Sequence, residues 1–147
     1  KGIALITFNA CNAKLSSNYN SAFKYIIPID IVHQYKKYQI FIIWAMPHVK
    51  SYSKSYIGQI WRAMNYYNLD KQKSTILIGD WNSNAKWDKQ RQNGNHSTTV
   101  SLLEEYSIVS LYHDLNGINH GKEIDPTLFL LKNKERPYHM GYCFASK

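Results

Sequence analysis

Between Tyr38 and Asp80 the hydrophobic pattern changes period twice, and few folds accommodate that order. Tyr38-Gln39-Ile40-Phe41-Ile42-Ile43-Trp44-Ala45 is a near-continuous apolar run, which predicts a strand buried on both faces and ended by Pro47. From Lys54 to Leu69 the residues Tyr56, Ile57, Ile60, Trp61, Met64 and Tyr67 recur at helical spacing and predict an amphipathic helix packed on a sheet. Thr75-Ile76-Leu77-Ile78 then predicts a second buried strand that stops at Gly79-Asp80. Strand, helix, strand in that order predict a layered α/β architecture with mixed sheets. A chain of 147 residues holds one sizeable core and not two, so a single domain over 1–147 is expected.

The flanks add weaker signals. Gly2 to Phe8 predicts a strand and Asn9 to Asn20 a loop. Tyr25 to Val32 predicts a strand that Pro28 assigns to a sheet edge. A second helix is expected from about Ser97 to Tyr106, with Val100 and Leu103 inward and Asn95 or Ser97 as its cap. Ile108 to Tyr112 predicts a short strand, and Thr127–Leu131 with Tyr138–Phe144 a final strand pair.

Charge narrows the partners. Lys plus Arg (18) against Asp plus Glu (10) leaves +8, which favours an anionic partner such as nucleic acid or a phosphate ester. In Tyr35-Lys36-Lys37-Tyr38 aromatic and basic residues interleave, as on a base-stacking surface or on an ordinary strand face with snorkelling lysines. No apolar run reaches the ~20 residues of a membrane span, and Lys1 to Phe8 lacks the layout of a signal peptide, so a cytoplasmic location is expected. Two cysteines, Cys11 and Cys143, exclude a disulfide scaffold and a four-cysteine zinc site.

The segment richest in chemistry is Ile76-Leu77-Ile78-Gly79-Asp80-Trp81-Asn82-Ser83-Asn84, where a hydrophobic strand delivers a carboxylate and then an amide two residues on. In open α/β structures ligands collect beyond strand carboxyl ends. Asp80 could orient or deprotonate a water or help hold a metal, and Asn82 could donate to a phosphate oxygen. The same residues also suit an Asx-type turn, and on their own they leave both readings open. None of the six histidines makes a His-x-x-x-His pair, so no zinc site is expected, and His113, His33 and His120 read as structural, loop or edge residues.

Gly79-Asp80-Trp81-Asn82 resembles the Gly-Asp-Phe-Asn motif of the endonuclease/exonuclease/phosphatase superfamily, the metal-dependent phosphodiesterases of the DNase I type. The resemblance extends over Tyr56–Trp61, Ser83–Asp88, Arg91, Asn95-His96-Ser97, Gly121-Lys122-Glu123 with Pro126-Thr127, and Pro137–Phe144, which is similar to the closing His-Ile-Asp-Tyr strand of a bacterial branch. It implies a two-layer mixed β-sandwich flanked by helices, and a nuclease that hydrolyses phosphodiesters with Mg²⁺ by attack of a water that Asp80 orients, Asn82 contacting the phosphate. It also implies phosphate-binding roles for His48, Thr127 and His139, with His139 and Gly141 on one face of the strand, while His96, just ahead of the second helix, reads as serving that helix's N-terminal region or a phosphate at its positive end.

The chain departs from that pattern in three places. The first glutamate is Glu104, so the metal-binding Glu that the family carries ahead of the Gly-Asp motif has no counterpart. Only Ala145-Ser146-Lys147 follow Phe144, where the family closes with Ser-Asp-His. Gly141 stands where the family has an Asp. The expectation is therefore an incomplete domain that lacks a full Mg²⁺ ligand set and has either reduced stability or a tendency to oligomerise through exposed sheet edges. Its alternatives are a non-catalytic phosphate- or nucleic-acid-binding remnant, and a hydrolase of lipid or small phosphate esters.

Overall fold

The computed structural model describes residues 2–8, 11–48, 51–89 and 93–147. The strands are β1 (Asn12–Leu15), β2 (Ile26–His33), β3 (Lys36–Trp44), β4 (Ser74–Asp80), β5 (Ile108–Ser110), β6 (Leu128–Phe129), β7 (Pro137–Tyr138) and β8 (Gly141–Ser146). The helices are α1 (Ile57–Tyr67), α2 (His96–Glu105) and α3 (Leu111–Asn116). Six strands form one mixed sheet in the order β1-β2-β3-β4-β8-β5, and β6 and β7 form a separate two-stranded ribbon. The strand, helix and strand read from the change of hydrophobic period are β3, α1 and β4; β3 and β4 are parallel, with α1 as their crossover.

Helix α1 is shorter than its pattern. It starts after Tyr56, at φ 44, and ends at Asn68 in the left-handed conformation. Ile57, Ile60, Met64 and Tyr67 turn inward, whereas Tyr56 is exposed and Trp61 only half-buried. They meet Ile26, Phe41, Ile43, Leu77 and Phe144 from one sheet face and Val100 and Leu103 from α2 to form the core. Helix α2 starts with a capping box, Asn95 Oδ1 accepting from Thr98 N at 2.8 Å and Thr98 Oγ1 from Asn95 N at 3.1 Å.

Several expectations are corrected. Gly2–Phe8 is assigned to no strand among the described residues, and the loop expected over Asn9–Asn20 contains β1 within its described part. Pro28 lies in the second strand of the sheet, not at its edge. It is tolerated because its nitrogen faces the side where β1 ends, after the Leu15–Ile29 pair, and its carbonyl there accepts from Ser16 N at 3.0 Å. Only alternate residues of β3, Phe41 and Ile43, are buried, because helices cover one sheet face; on the other face Ile40 and Ile42 are half-buried and Ile78 is exposed. The strand expected to Tyr112 ends at Ser110, and Leu111 onward is α3. The final strand pair is only β6 with β7, while β8 turns away to lie between β4 and β5. Arg91 lies outside the described residues. No helix among the described residues is long and apolar enough to cross a membrane.

Candidate active site

Strand β4 ends at Asp80 because the next residue, Trp81, is pulled into the core. Trp81 is fully buried and stacks on Phe144 with ring centroids 4.6 Å apart. Alternation then puts Asp80 on the opposite sheet face, between Trp44 and Gly141 in register. Gly79 makes this approach possible. Its φ is +143°, and a Cβ there would lie 1.9 Å from the Ile43 carbonyl oxygen.

Asn82 holds Asp80 in place. Its backbone N–H donates to Asp80 Oδ1 at 3.1 Å, and its side-chain Nδ2 donates to Asp80 Oδ2 at 2.9 Å. The same Nδ2 donates to Ala45 O at 3.0 Å, which ties the pair to the end of β3. Asn82 adopts φ 47, a left-handed conformation that Asn accepts more readily than most residues. Burial raises the Asp80 pKa, and the two bonds from Asn82 only partly oppose it. Asn82 thus has both amide hydrogens engaged within the protein, and donation to a phosphate oxygen requires that it exchange one of them.

Thr127 lies beside this rim. Its Oγ1 accepts from Met140 N and Gly141 N, both at 2.8 Å, and so fixes the start of β8 opposite Asp80. His139 does not share a face with Gly141, because regular strand begins only at Gly141. Its ring packs instead against Tyr112 and Tyr142, centroids 4.5 and 4.9 Å away. His96 is completely buried, so it does not meet a phosphate. The positive end of α2 is occupied by Asp88, which accepts from His96 N at 2.9 Å and Ser97 N at 2.7 Å.

Two clefts meet at Lys54-Ser55-Tyr56. One, about 400 Å³, runs from Asn82 past Tyr56, Trp87 and Leu128. The other, about 420 Å³, is lined by His48 with Lys24, Tyr25, Lys54 and Arg62. His48 is positioned there by Ser55, whose Oγ accepts from His48 N at 2.7 Å.

Among the described residues Asp80 belongs to no group of three or more ligating side chains, so a Mg²⁺ ion at the rim would rest on the Asp80 carboxylate together with water and substrate phosphate. A group that could hold a metal ion lies elsewhere: His113, His120 and Glu123, whose ligand atoms all lie within 4.8 Å of one another. The His-x-x-x-His criterion misses it because these residues come from α3 and the loop after it. The visible signal was His120 and Glu123 two residues apart in the middle, a spacing too common to select.

No protein-family model matches the chain, and no curated protein matches it. Among solved structures, it is similar to the endonuclease domain of TRAS1, a telomere-specific non-LTR retrotransposon, at 15% identity and TM-score 0.56, over 94% of this chain and 55% of that one. It also aligns with an endonuclease/exonuclease/phosphatase family protein from Leptotrichia buccalis, at 15% identity and TM-score 0.48 over 83% of this chain and 41% of that one. SmcL gives 18% identity and TM-score 0.49 over 83% and 42%. The likeness to TRAS1 establishes the fold: the mixed sheet and its helices are those of a DNase I-like architecture. The chain spans about half the length of the TRAS1 domain.

Proposed function

We propose that this chain carries the Asp80–Asn82 rim of a phosphodiester-hydrolysing domain whose substrate is nucleic acid. The observation that carries the reading is the Asp80–Asn82 pair, a carboxylate fixed at a strand end by an amide two residues on. Each Asp80 oxygen accepts one bond from Asn82 and keeps lone pairs for a water. Asp80 would hold that water and take its proton as the oxygen attacks phosphorus; the ester P–O bond breaks and the leaving oxygen takes up a proton from solvent water.

Two features favour nucleic acid over a small ester. The cleft beside Asn82 presents Tyr56 and Trp87, both exposed aromatics suited to stacking on bases. The adjoining cleft supplies Lys24, Lys54 and Arg62 for a phosphate backbone. A cytoplasmic place of work belongs to the same reading, in keeping with two free thiols. Turnover by these 147 residues should be slow, because Asp80 positions water while both Asn82 amide hydrogens are already engaged, and charge stabilisation is usually the largest catalytic contribution.

The test is a plasmid-nicking assay with Mg²⁺ and Mn²⁺ on the purified chain and on Asp80→Ala, beside anisotropy binding to single-stranded DNA. Salt-sensitive binding with slow nicking that Asp80→Ala removes supports the reading. Nicking that Asp80→Ala leaves untouched, or no DNA binding at low salt, refutes it.

A further inference from the structure

We propose that His113, His120 and Glu123 form a binding site for a transition-metal dication of the zinc class, separate from the Asp80–Asn82 rim. Two imidazoles and one carboxylate suit a borderline cation such as Zn²⁺ and not a hard one such as Mg²⁺. The three ligand atoms lie within 4.8 Å of one another. His113 Nε2 and Glu123 Oε1 are 3.1 Å apart, near the roughly 3.3 Å between ligands of a tetrahedral zinc ion.

Outer groups hold each of these side chains, and at Glu123 the backbone N–H of Gly121 also donates to Oε1 at 3.0 Å. His113 Nδ1 lies 2.7 Å from Ser110 Oγ. His120 Nδ1 lies 3.2 Å from His96 Nε2, which leaves His120 Nε2 as the ligating atom. Glu123 Oε2 accepts from Asn84 Nδ2 at 3.0 Å. His96 Nδ1 continues outward to Ser83 Oγ at 3.3 Å. Metal-binding residues are oriented in this way, their second heteroatoms tied to the surrounding protein.

The charge balance points the same way. The Glu123 side chain is 2% exposed, and among the described residues no Lys or Arg forms an ion pair with it. A carboxylate buried without a Lys or Arg partner among the described residues suits a dication that would neutralise it.

His139 supplies an independent observation. Its Nδ1 lies 2.6 Å from the Asp125 carbonyl oxygen, which can only accept, so the proton is on Nδ1. Its Nε2 is then a buried lone pair without a donor. The ring is 6% exposed and its centroid lies 6.2 Å from that of His113. Loading requires one rearrangement. The His113 and His120 rings are stacked with centroids 3.6 Å apart. Imidazoles sharing one zinc ion have centroids about 5 Å apart, given Zn–N bonds of about 2 Å. The stack must therefore open.

The experiment titrates the chelator-stripped 147-residue chain with Zn²⁺ by calorimetry, and with Co²⁺ by visible absorption. One equivalent of Zn²⁺ with a Kd below about 1 µM, and Co²⁺ bands of low-coordinate type, are expected, unaffected by millimolar Mg²⁺. His120→Ala and Glu123→Gln should each weaken Zn²⁺ binding roughly 10- to 100-fold, and Asp80→Ala should leave it unchanged. Circular dichroism checks that each variant is folded, and the wild-type titration decides even if one is not. No Zn²⁺ bound by wild type at 50 µM overturns the proposal. So does binding that folded His120→Ala and Glu123→Gln retain in full, or that Asp80→Ala abolishes. Cleavage is read in none of these arms, so failure here leaves the Asp80 reading standing.

Discussion

Asp80 and Gly79 show how one position serves fold and chemistry together. Gly79→Ala would place a Cβ 1.9 Å from the Ile43 carbonyl at a φ of +143°, against backbone that has nowhere to move. A loss of at least ~3 kcal/mol is expected, read as a lower urea midpoint or as a failure to fold. Asp80 is predicted to oppose phosphate in the metal-free chain. Burial raises its pKa from the ordinary value, and its ionised form would repel a phosphate brought to the rim. Asp80→Asn should therefore bind single-stranded DNA roughly 5-fold more tightly at pH 7, about 1 kcal/mol for one charge near a surface. As pH falls through the raised pKa, the wild type takes up a proton and the gap closes. Anisotropy titrations from pH 7 to pH 4 measure both; equal affinities at pH 7 would remove Asp80 from the phosphate path.

At the scale of elements, the β2–β3 hairpin carries avoidable strain. Gln34 (φ 47) and Tyr35 (φ 67) form its two-residue turn, and both sit in the left-handed region that Asn-Gly fills without cost. Tyr35 is fully exposed, so its ring contributes no packing. The double substitution Gln34→Asn, Tyr35→Gly should stabilise the chain by about 1 kcal/mol, seen as a thermal midpoint raised by a few degrees. If the turn instead serves to display Tyr35 to nucleic acid, the same variant loses DNA affinity, and the two measurements separate these roles. The Tyr35-Lys36-Lys37-Tyr38 stretch is thus a turn and the start of a strand, which its composition did not reveal.

Over the whole molecule, the basic residues behind the +8 balance are spread along the sequence, and three of them, Lys24, Lys54 and Arg62, line one cleft. Binding there should be governed by counterion release. Lys54→Ala and Arg62→Ala should each weaken binding to mixed single-stranded DNA sequences uniformly and reduce the slope of log affinity against log salt by about 0.7. Anisotropy between 20 and 200 mM NaCl tests this, and an unchanged slope would move the nucleic-acid path away from the cleft. The sheet itself is covered by helices on one face only. The other carries Ile40, Ile42 and the exposed Ile78, so a short-range pattern such as the continuous apolar run of β3 could not tell burial on one face from burial on two.

What the sequence determined by itself was whatever depends on local spacing. The change of period from Tyr38 to Asp80 specified strand, helix and strand, and the order Gly79-Asp80-Trp81-Asn82 placed a carboxylate and an amide at a strand end. Tertiary structure alone decided the contacts between distant segments. Asp88 takes the helix end assigned to a phosphate, eight residues from His96 in sequence. His139 turns to Tyr112 and Tyr142 because the last strand starts only at Gly141, three residues after its pattern begins at Tyr138. His113, His120 and Glu123 meet because α3 and its following loop fold back under β8. Hydrophobic period is set by each residue's own neighbours. The partner of a buried polar group is set by which chain segments the core brings together, and no local pattern carries that information.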